Sequence, residues 1–247
     1  MSKSQDRIRV ALVGYGVMGQ LIEKLASDHG CEIAAIFDES RPLNSKIAAD
    51  FDVIIDFSLP HAVVETVKQA AELGVSIVIG TTGWDAQRDE VRELVEQSGI
   101  GCVVGSNFSI GMNMFFAMVH HAAALVSRYD EYDVMLHEFH HRRKADSPSG
   151  TAYELAKIVL SEHGVKQRIM AERSDGAINA ADLHVSSTRG GDIPGTHMLV
   201  IDSPADSIEL THRARNREGF AHGALRAARW LNGQRGFYDF SDIFPQL

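Results

Sequence analysis

Short β-rich apolar runs at 8–13, 32–37, 53–57, 75–79 and 101–104 punctuate the first hundred positions of the chain. Between them, apolar residues recur at helical spacing over 20–29, 62–73 and 85–97. Strands that alternate with helices in this way predict a parallel sheet covered by helices. Only a loop or a short turn of helix fits between the second and third strands, around 44–49.

The pattern changes after residue 108. Met112, Phe115, Phe116, Val119, Ala123 and Val126 fit a helix with a wide apolar face. A strand over 133–139, a helix over 152–160 and strands over 183–187, 197–201 and 207–211 follow, and together they predict an open sheet, mixed or antiparallel. A last helix over 221–231, within "GFAHGALRAARWLNG", is expected to return to the first region. The fold class is therefore α/β: a Rossmann-type parallel-sheet domain from 1–105 and 220–247, plus an α+β domain with an open mixed sheet over 106–219. Hinges are expected near Ser106 and Gly219.

Composition narrows the function. At 247 residues, 45% hydrophobic and 23% charged, the chain is an ordinary folded protein. A net charge of −9 and a pI near 5.7 give no general attraction to nucleic acid or to an anionic membrane, so any anion site must be local. The polar start, MSKSQDRIRV, lacks the apolar stretch of a signal peptide, and no apolar run reaches the roughly 18 residues of a membrane span. A cytoplasmic protein is expected, with Cys31 and Cys102 reduced and buried in strand-like surroundings.

Candidate chemistry begins at "VALVGYGVMGQLI". Gly14, Gly16 and Gly19 form G-x-G-x-x-G between a strand and a helix, the arrangement that seats a pyrophosphate at a positive helix end. Asp38 ends the second strand about 20 residues on, where an acid bonds the ribose hydroxyls of NADH. Arg41, nearby, would instead suit the 2'-phosphate of NADPH, so either or both cofactors remain open. "GTTGW" (80–84) and "SNFSIG" (106–111) end later strands at the same sheet edge and point to one cleft.

A second concentration of chemistry is "EFHHRRKADSPSGTA", residues 138–152. Strand alternation puts His140 and His141 on opposite sides of the chain, so they need different roles. Their spacing is not that of a helical zinc pair and no cysteine lies nearby, so no metal is expected. Gly150 and Thr151 open a helix, with Thr151 and Glu154 as a candidate capping box, and offer backbone amides near a positive helix end. Lys144 and the histidines ahead of that turn suit a small dicarboxylate and keep one side chain able to donate a proton near neutral pH.

This segment resembles the E-x-H-H-x-x-K-x-D-x-P-S-G-T-A signature of the 4-hydroxy-tetrahydrodipicolinate reductase (dihydrodipicolinate reductase) family. "GYGVMGQLI", "GTTGW", "SNFSIGMN", "SSTRGGDIPGTH" and "FAHGALRAARWLNGQRGFYDFSDIF" extend the similarity over nearly the whole chain in the same order. The segment after the second strand is shorter than in the family pattern.

The resemblance implies reduction of 4-hydroxy-tetrahydrodipicolinate by NADH or NADPH, with loss of water, in the diaminopimelate route to lysine. It makes His140 the proton donor, Lys144 a catalytic or anchoring cation, and His141, Gly150 and Thr151 the carboxylate binders. Cofactor contacts are implied for Gly14, Tyr15, Gly16, Val17, Met18, Gly19, Asp38, Gly80, Thr81, Thr82, Ser106, Asn107 and Phe108. It also implies a homotetramer joined through the second domain. The two-domain layout itself suggests closure over the substrate. Arg142 and Arg143 are expected to be solvated or structural, and Arg189 to shape the pocket or support a hairpin. The competing readings are another two-domain amino-acid dehydrogenase, or a module that binds NAD without turnover.

Overall fold

A computed structural model describes residues 7–46, 48–171 and 174–247. The polar start and Ile47 of the expected 44–49 turn lie outside the described residues. In chain order the elements are β1 (Ile8–Val13), α1 (Val17–Ala26), β2 (Cys31–Phe37), β3 (Val53–Asp56), α2 (Val63–Leu73), β4 (Ser76–Ile79), α3 (Arg88–Ser98) and β5 (Gly101–Val104). There follow α4 (Ile110–Val126), β6 (Asp133–His140), α5 (Gly150–Glu162), β7 (Arg168–Met170), β8 (Asp182–Arg189), β9 (Thr196–Asp202) and β10 (Ser207–Arg213). The chain ends with α6 (Glu218–Leu231), β11 (Gly236–Asp239) and α7 (Phe240–Ile243). Two compact units result, residues 1–110 with 218–247, and residues 111–217.

The first unit is a six-stranded parallel sheet in the order β11-β5-β4-β3-β1-β2. Its four central strands, β1, β3, β4 and β5, are buried on both faces, so neighbours along one strand enter different cores. Val10, Leu12, Ile55 and Val103 pack with Ile22 of α1 and Leu225 of α6. Ala11, Val13, Ile54 and Val104 pack with Val67 of α2 and Val91 of α3. Each of the Val, Leu and Ile side chains among them contributes about 1.5–3 kcal/mol by leaving water. Strand order reverses at β1, which has β2 on one side and β3 on the other. The carboxyl ends of strands flanking such a reversal form the crevice in which open α/β sheets bind ligands.

The second unit is a five-stranded mixed sheet in the order β10-β9-β6-β8-β7. β10, β9 and β6 run antiparallel, whereas β6, β8 and β7 are mutually parallel. Phe115 and Val119 of α4 and Leu155 and Val159 of α5 cover one face, over Leu136, Val185 and Leu199. On β6 the buried stripe runs Val134, Leu136, Glu138, His140. Its first half is apolar and its second half ionisable, so the strand carries titratable groups from the core toward its carboxyl end.

Two strands were not expected from the sequence: β7, of only three residues, and β11, which extends the parallel sheet by pairing with β5. Among the described residues no helix is long and apolar enough to cross a membrane.

Candidate active site

The turn between β1 and α1 uses its three glycines differently. Gly14 has φ +88°, and a Cβ there would lie 2.4 Å from the Phe57 carbonyl oxygen. A Cβ at Gly19 would lie 2.4 Å from the Gly14 carbonyl oxygen. Neither position accepts a side chain without moving backbone. At Gly16 a Cβ would meet nothing within 4 Å. The turn is thus tight below and open above, at the amino end of α1, where the first helical amides have no intrahelical partner.

Helix α1 begins at Val17 rather than at the expected residue 20, with Gly16 as its N-cap. Val17 is 64% exposed, so its side chain packs little. A cleft of about 660 Å³ adjoins the turn, bounded by Gly14, Tyr15, Gly16, Asp38, Phe57 and Ser58.

Asp38 sits just past β2. Its Oδ1 accepts from Ser40 N–H (2.8 Å), the Ser40 hydroxyl (2.6 Å) and Arg41 N–H (3.0 Å). These bonds hold the carboxyl below its ordinary range, so it stays ionised. The Arg41 guanidinium lies 5.7 Å from the centre of the Phe37 ring.

The "GTTGW" loop is organised by Asp56, which the sequence reading did not single out. This carboxylate, fully buried at the end of β3, accepts from the Thr81 hydroxyl and from Ser58 N–H, each at 2.8 Å. Burial pushes its carboxyl above the usual carboxylate range, and hydrogen bonds from Ser58 and Thr81 oppose that rise. Trp84 Nε1 donates to the Thr81 carbonyl (2.7 Å), and a Cβ on Gly80 would strike the Phe57 ring. Thr81 is therefore committed to the loop's own structure, while Thr82 is exposed.

Ser106 is also exposed, and Asn107 is buried and accepts from Ser109 N–H (2.9 Å). Phe108 is 1% exposed and packs between Phe57 and Phe240, so its side chain belongs to the core rather than to the cleft.

In the second unit, "EFHHRRKADSPSGTA" runs from the end of β6 to the first turn of α5. The cap differs from expectation. Ser149 is the N-cap, its hydroxyl accepting from Ala152 N–H (3.2 Å), and Thr151 already lies inside the helix. Ser149 is itself extended (φ −72°, ψ 159°) and its hydroxyl takes up a first-turn amide, which sets the start at Gly150. Gly150 is exposed, and a Cβ there would meet nothing within 4 Å. The amides at 150 and 151 remain at the helix start as anticipated.

Glu138 is the hub of this region. Completely buried, it accepts from Ser149 N–H (2.9 Å), the Ser187 hydroxyl (2.9 Å), Arg189 Nη2 (2.7 Å) and the Ser149 hydroxyl. Its Oε2 also faces His140 Nδ1 and His197 Nε2, each at 3.4 Å. Burial would raise its pKa, but bonds from His197, Ser149 and Arg189 outweigh that and hold it far below the usual range. Glu138 is an anion.

His140 is 6% exposed. Burial lowers its pKa to about 4, with Glu138 opposing that shift and His197, Lys144 and Arg189 adding to it. The expectation that it titrates near neutrality is thus not met by the protein alone. His141, one residue beyond the strand, is half-buried, and its N–H donates to the Ile193 carbonyl (2.8 Å). Lys144 Nζ pairs with Asp146 Oδ1 at 2.8 Å, and the Gly150 backbone also stabilises the Asp146 carboxylate. An incoming carboxylate would therefore compete with Asp146 for these groups.

The "SSTRGGDIPGTH" segment clasps this one. Gly190 N–H donates to the His140 carbonyl (2.9 Å), Arg143 pairs with Asp192 (2.7 Å), and Arg189 Nη2 also donates to the Asp146 carbonyl (2.6 Å). The exposed Arg143 pair contributes roughly 0–1 kcal/mol and acts as a tether. Arg189 turns toward Glu138 and the loop.

Ligand atoms of Glu138, His140 and His197 lie within 4.8 Å of one another, near enough to hold a metal ion. Arg189, already bonded to the same carboxylate, places a positive charge against any such ion.

Comparison with known proteins gives this geometry its context. Residues 8–108 match the family model "Dihydrodipicolinate reductase, N-terminus", and residues 111–244 match "Dihydrodipicolinate reductase, C-terminus". The chain belongs to the dihydrodipicolinate reductase family.

Among similar members, the 4-hydroxy-tetrahydrodipicolinate reductase of Christiangramia forsetii is 32% identical over 97% of this chain and 99% of its own. That of Archaeoglobus fulgidus is 37% identical over 96% and 99%. The solved structure of dipicolinate-bound dihydrodipicolinate reductase from Paenisporosarcina sp. TG-14 superposes with a TM-score of 0.75 at 26% identity, covering 96% of this chain and 99% of that one. The family and its Rossmann-type unit imply a nicotinamide cofactor. The open Gly16, the free start of α1 and the ionised Asp38 fit such a dinucleotide.

Proposed function

We propose that the protein reduces 4-hydroxy-tetrahydrodipicolinate to tetrahydrodipicolinate with a reduced nicotinamide dinucleotide, releasing water, in the diaminopimelate route to lysine in the cytoplasm. The observation that carries this reading is the buried Glu138–His140 end of β6, beside Lys144 and the start of α5, in a chain of this family.

The substrate loses water to give a conjugated cyclic imine. The cofactor, when bound, supplies hydride to C4 of that imine. Lys144, His141 and the amides of Gly150 and Thr151 hold the two carboxylates and stabilise the charged ring. His140 then gives its Nε2 proton to the neighbouring carbon of the enamine anion: a C–H bond forms, an N–H bond breaks, and imidazole is left neutral. A dianion beside His140 favours imidazolium, which brings its pKa up from about 4 toward working pH. The dinucleotide is held by residues 14–19, Asp38, the Gly80–Thr82 loop, and Ser106, Asn107 and the Phe108 backbone.

NADH is the preferred cofactor on this reading, because the ionised Asp38 repels a 2'-phosphate. Arg41 contributes less, being exposed and turned over Phe37. Calorimetric titration tests both parts. NADH is expected to bind more tightly than NADPH, and dipicolinate added to the cofactor-loaded protein at about pH 6 is expected to bind with net proton uptake. Equal cofactor affinities would remove the Asp38 argument. Dipicolinate binding without proton uptake would contradict the role given to His140.

Assembly as a homotetramer completes the reading. The 111–217 unit bears Met118, Leu125, Tyr129 and Ile208, each about half exposed, and such apolar surface is what assembly covers. Sedimentation equilibrium is expected to give the mass of four chains. A one-chain mass at micromolar concentration would refute it.

A further inference from the structure

We infer that Glu138 is a positioning residue for the reduction: its buried carboxylate fixes the His140 ring with the proton on Nδ1, leaving Nε2 as the edge that serves the substrate. The motif comparison assigns a role to His140 but none to Glu138. Glu138 occupies a place on the β6 core stripe, after Val134 and Leu136, where an apolar side chain would be cheaper. What it gains there is a complete shell of donors.

Arg189, Ser187 and the Ser149 amide all point at Oε1, and the Ser149 hydroxyl points at Oε2. A carboxylate held ionised in this way can only accept. Two ring nitrogens face it at 3.4 Å from Oε2, His197 Nε2 and His140 Nδ1, and each meets the anion with N–H rather than a lone pair. At 3.4 Å the His140 contact is longer than an ordinary hydrogen bond, and its Nδ1 has no other partner among the described residues. Such contacts shorten when an imidazole becomes cationic or a site closes.

The opposite edge of the ring supplies a second observation. A Cβ at Gly195 would stand 3.0 Å from His140 Nε2 and 3.4 Å from Cδ2, so only glycine leaves that edge uncovered. The Gly195 carbonyl is itself fixed by Ala214 N–H (2.9 Å), and the bare backbone stays in place. One side of the imidazole is held by an acceptor, and the other is kept clear of side chain.

Glu138→Gln separates orientation from structure. Its amide oxygen would stay with Arg189, Ser187 and the Ser149 amide, which need an acceptor. Its NH₂ would then replace Oε2 and donate to His140 Nδ1, driving the His140 proton to Nε2. The kinetic part of the test rests on the reductase reading, but the tautomer is read without substrate.

Nitrogen NMR of protein labelled in histidine should show His140 protonated at Nδ1 in the wild type and at Nε2 in Glu138→Gln. The variant's kcat should fall at least about tenfold with substrate KM nearly unchanged, because the group lost acts on the proton donor. Glu138→Asp, which keeps the charge, should recover part of kcat. A wild-type His140 unprotonated at Nδ1 overturns the inference, whether or not the Gln variant folds. So does a folded Gln variant with wild-type tautomer and kcat. Failure of the wild type to turn over, with the tautomers as stated, would count against the reductase reading alone.

Discussion

His140→Gln is expected to lower kcat by about 10²–10⁴-fold, the usual contribution of a positioned general acid, while dinucleotide affinity stays at the wild-type level. Glutamine keeps a polar tip of similar reach, so the buried Glu138 retains a partner, but it cannot release a proton. The proposed dinucleotide contacts, residues 14–19 and 38, belong to the other unit. Substrate KM should move little, since the carboxylates are assigned to Lys144, His141 and the α5 amides.

The pH profile gives the sign. Wild-type kcat must fall as pH rises through the pKa of His140 in the substrate complex, because the acid form is the active one. The variant should lose that alkaline limb. A kcat within threefold of wild type, or an unchanged limb, would mean the proton comes from elsewhere.

Gly16→Val should act on the other half of the reaction. Because a Cβ at 16 meets nothing within 4 Å, the variant is expected to fold with a wild-type melting temperature. The added side chain would stand in the open space above the start of α1 where a pyrophosphate approaches. NADH binding should weaken at least tenfold, or about 1.4 kcal/mol and more. Gly14 and Gly19 make the contrast. Their substitution places a Cβ 2.4 Å from a backbone oxygen, so loss of stability should accompany loss of binding there. Fluorescence titration with NADH, alongside thermal melts, distinguishes the two classes. Undiminished NADH affinity in Gly16→Val would move the pyrophosphate away from this turn.

How much of this was legible in the chain depends on how local each signal is. The strand and helix pattern of the first hundred residues, and the glycine turn, are written in neighbouring positions and reappear within a few residues. β7 and β11 left no readable pattern: one has three residues, and the other is defined by pairing with β5 across more than a hundred positions. Thr151 looked like the cap because a glutamate follows it at the right spacing. Ser149 takes that place because its backbone is extended and its hydroxyl reaches the Ala152 amide.

Glu138 stands inside a legible motif, but its partners come from 149, 187, 189 and 197, and only the fold brings these together. For the same reason Arg189 could not be assigned in advance. Asp56 was hidden likewise, its Thr81 partner lying 25 residues away. Phe108 shows the reverse case: a residue beside a ligand loop in sequence turns its ring into the core, and only its backbone is left for the proposed cofactor contact.

Turnover tests the central claim most directly. The purified protein should oxidise NADH when 4-hydroxy-tetrahydrodipicolinate is generated in the cuvette by its synthase, with one tetrahydrodipicolinate formed per NADH consumed. No NADH oxidation above the rate without protein, under conditions where dipicolinate and NADH both bind, would contradict the account.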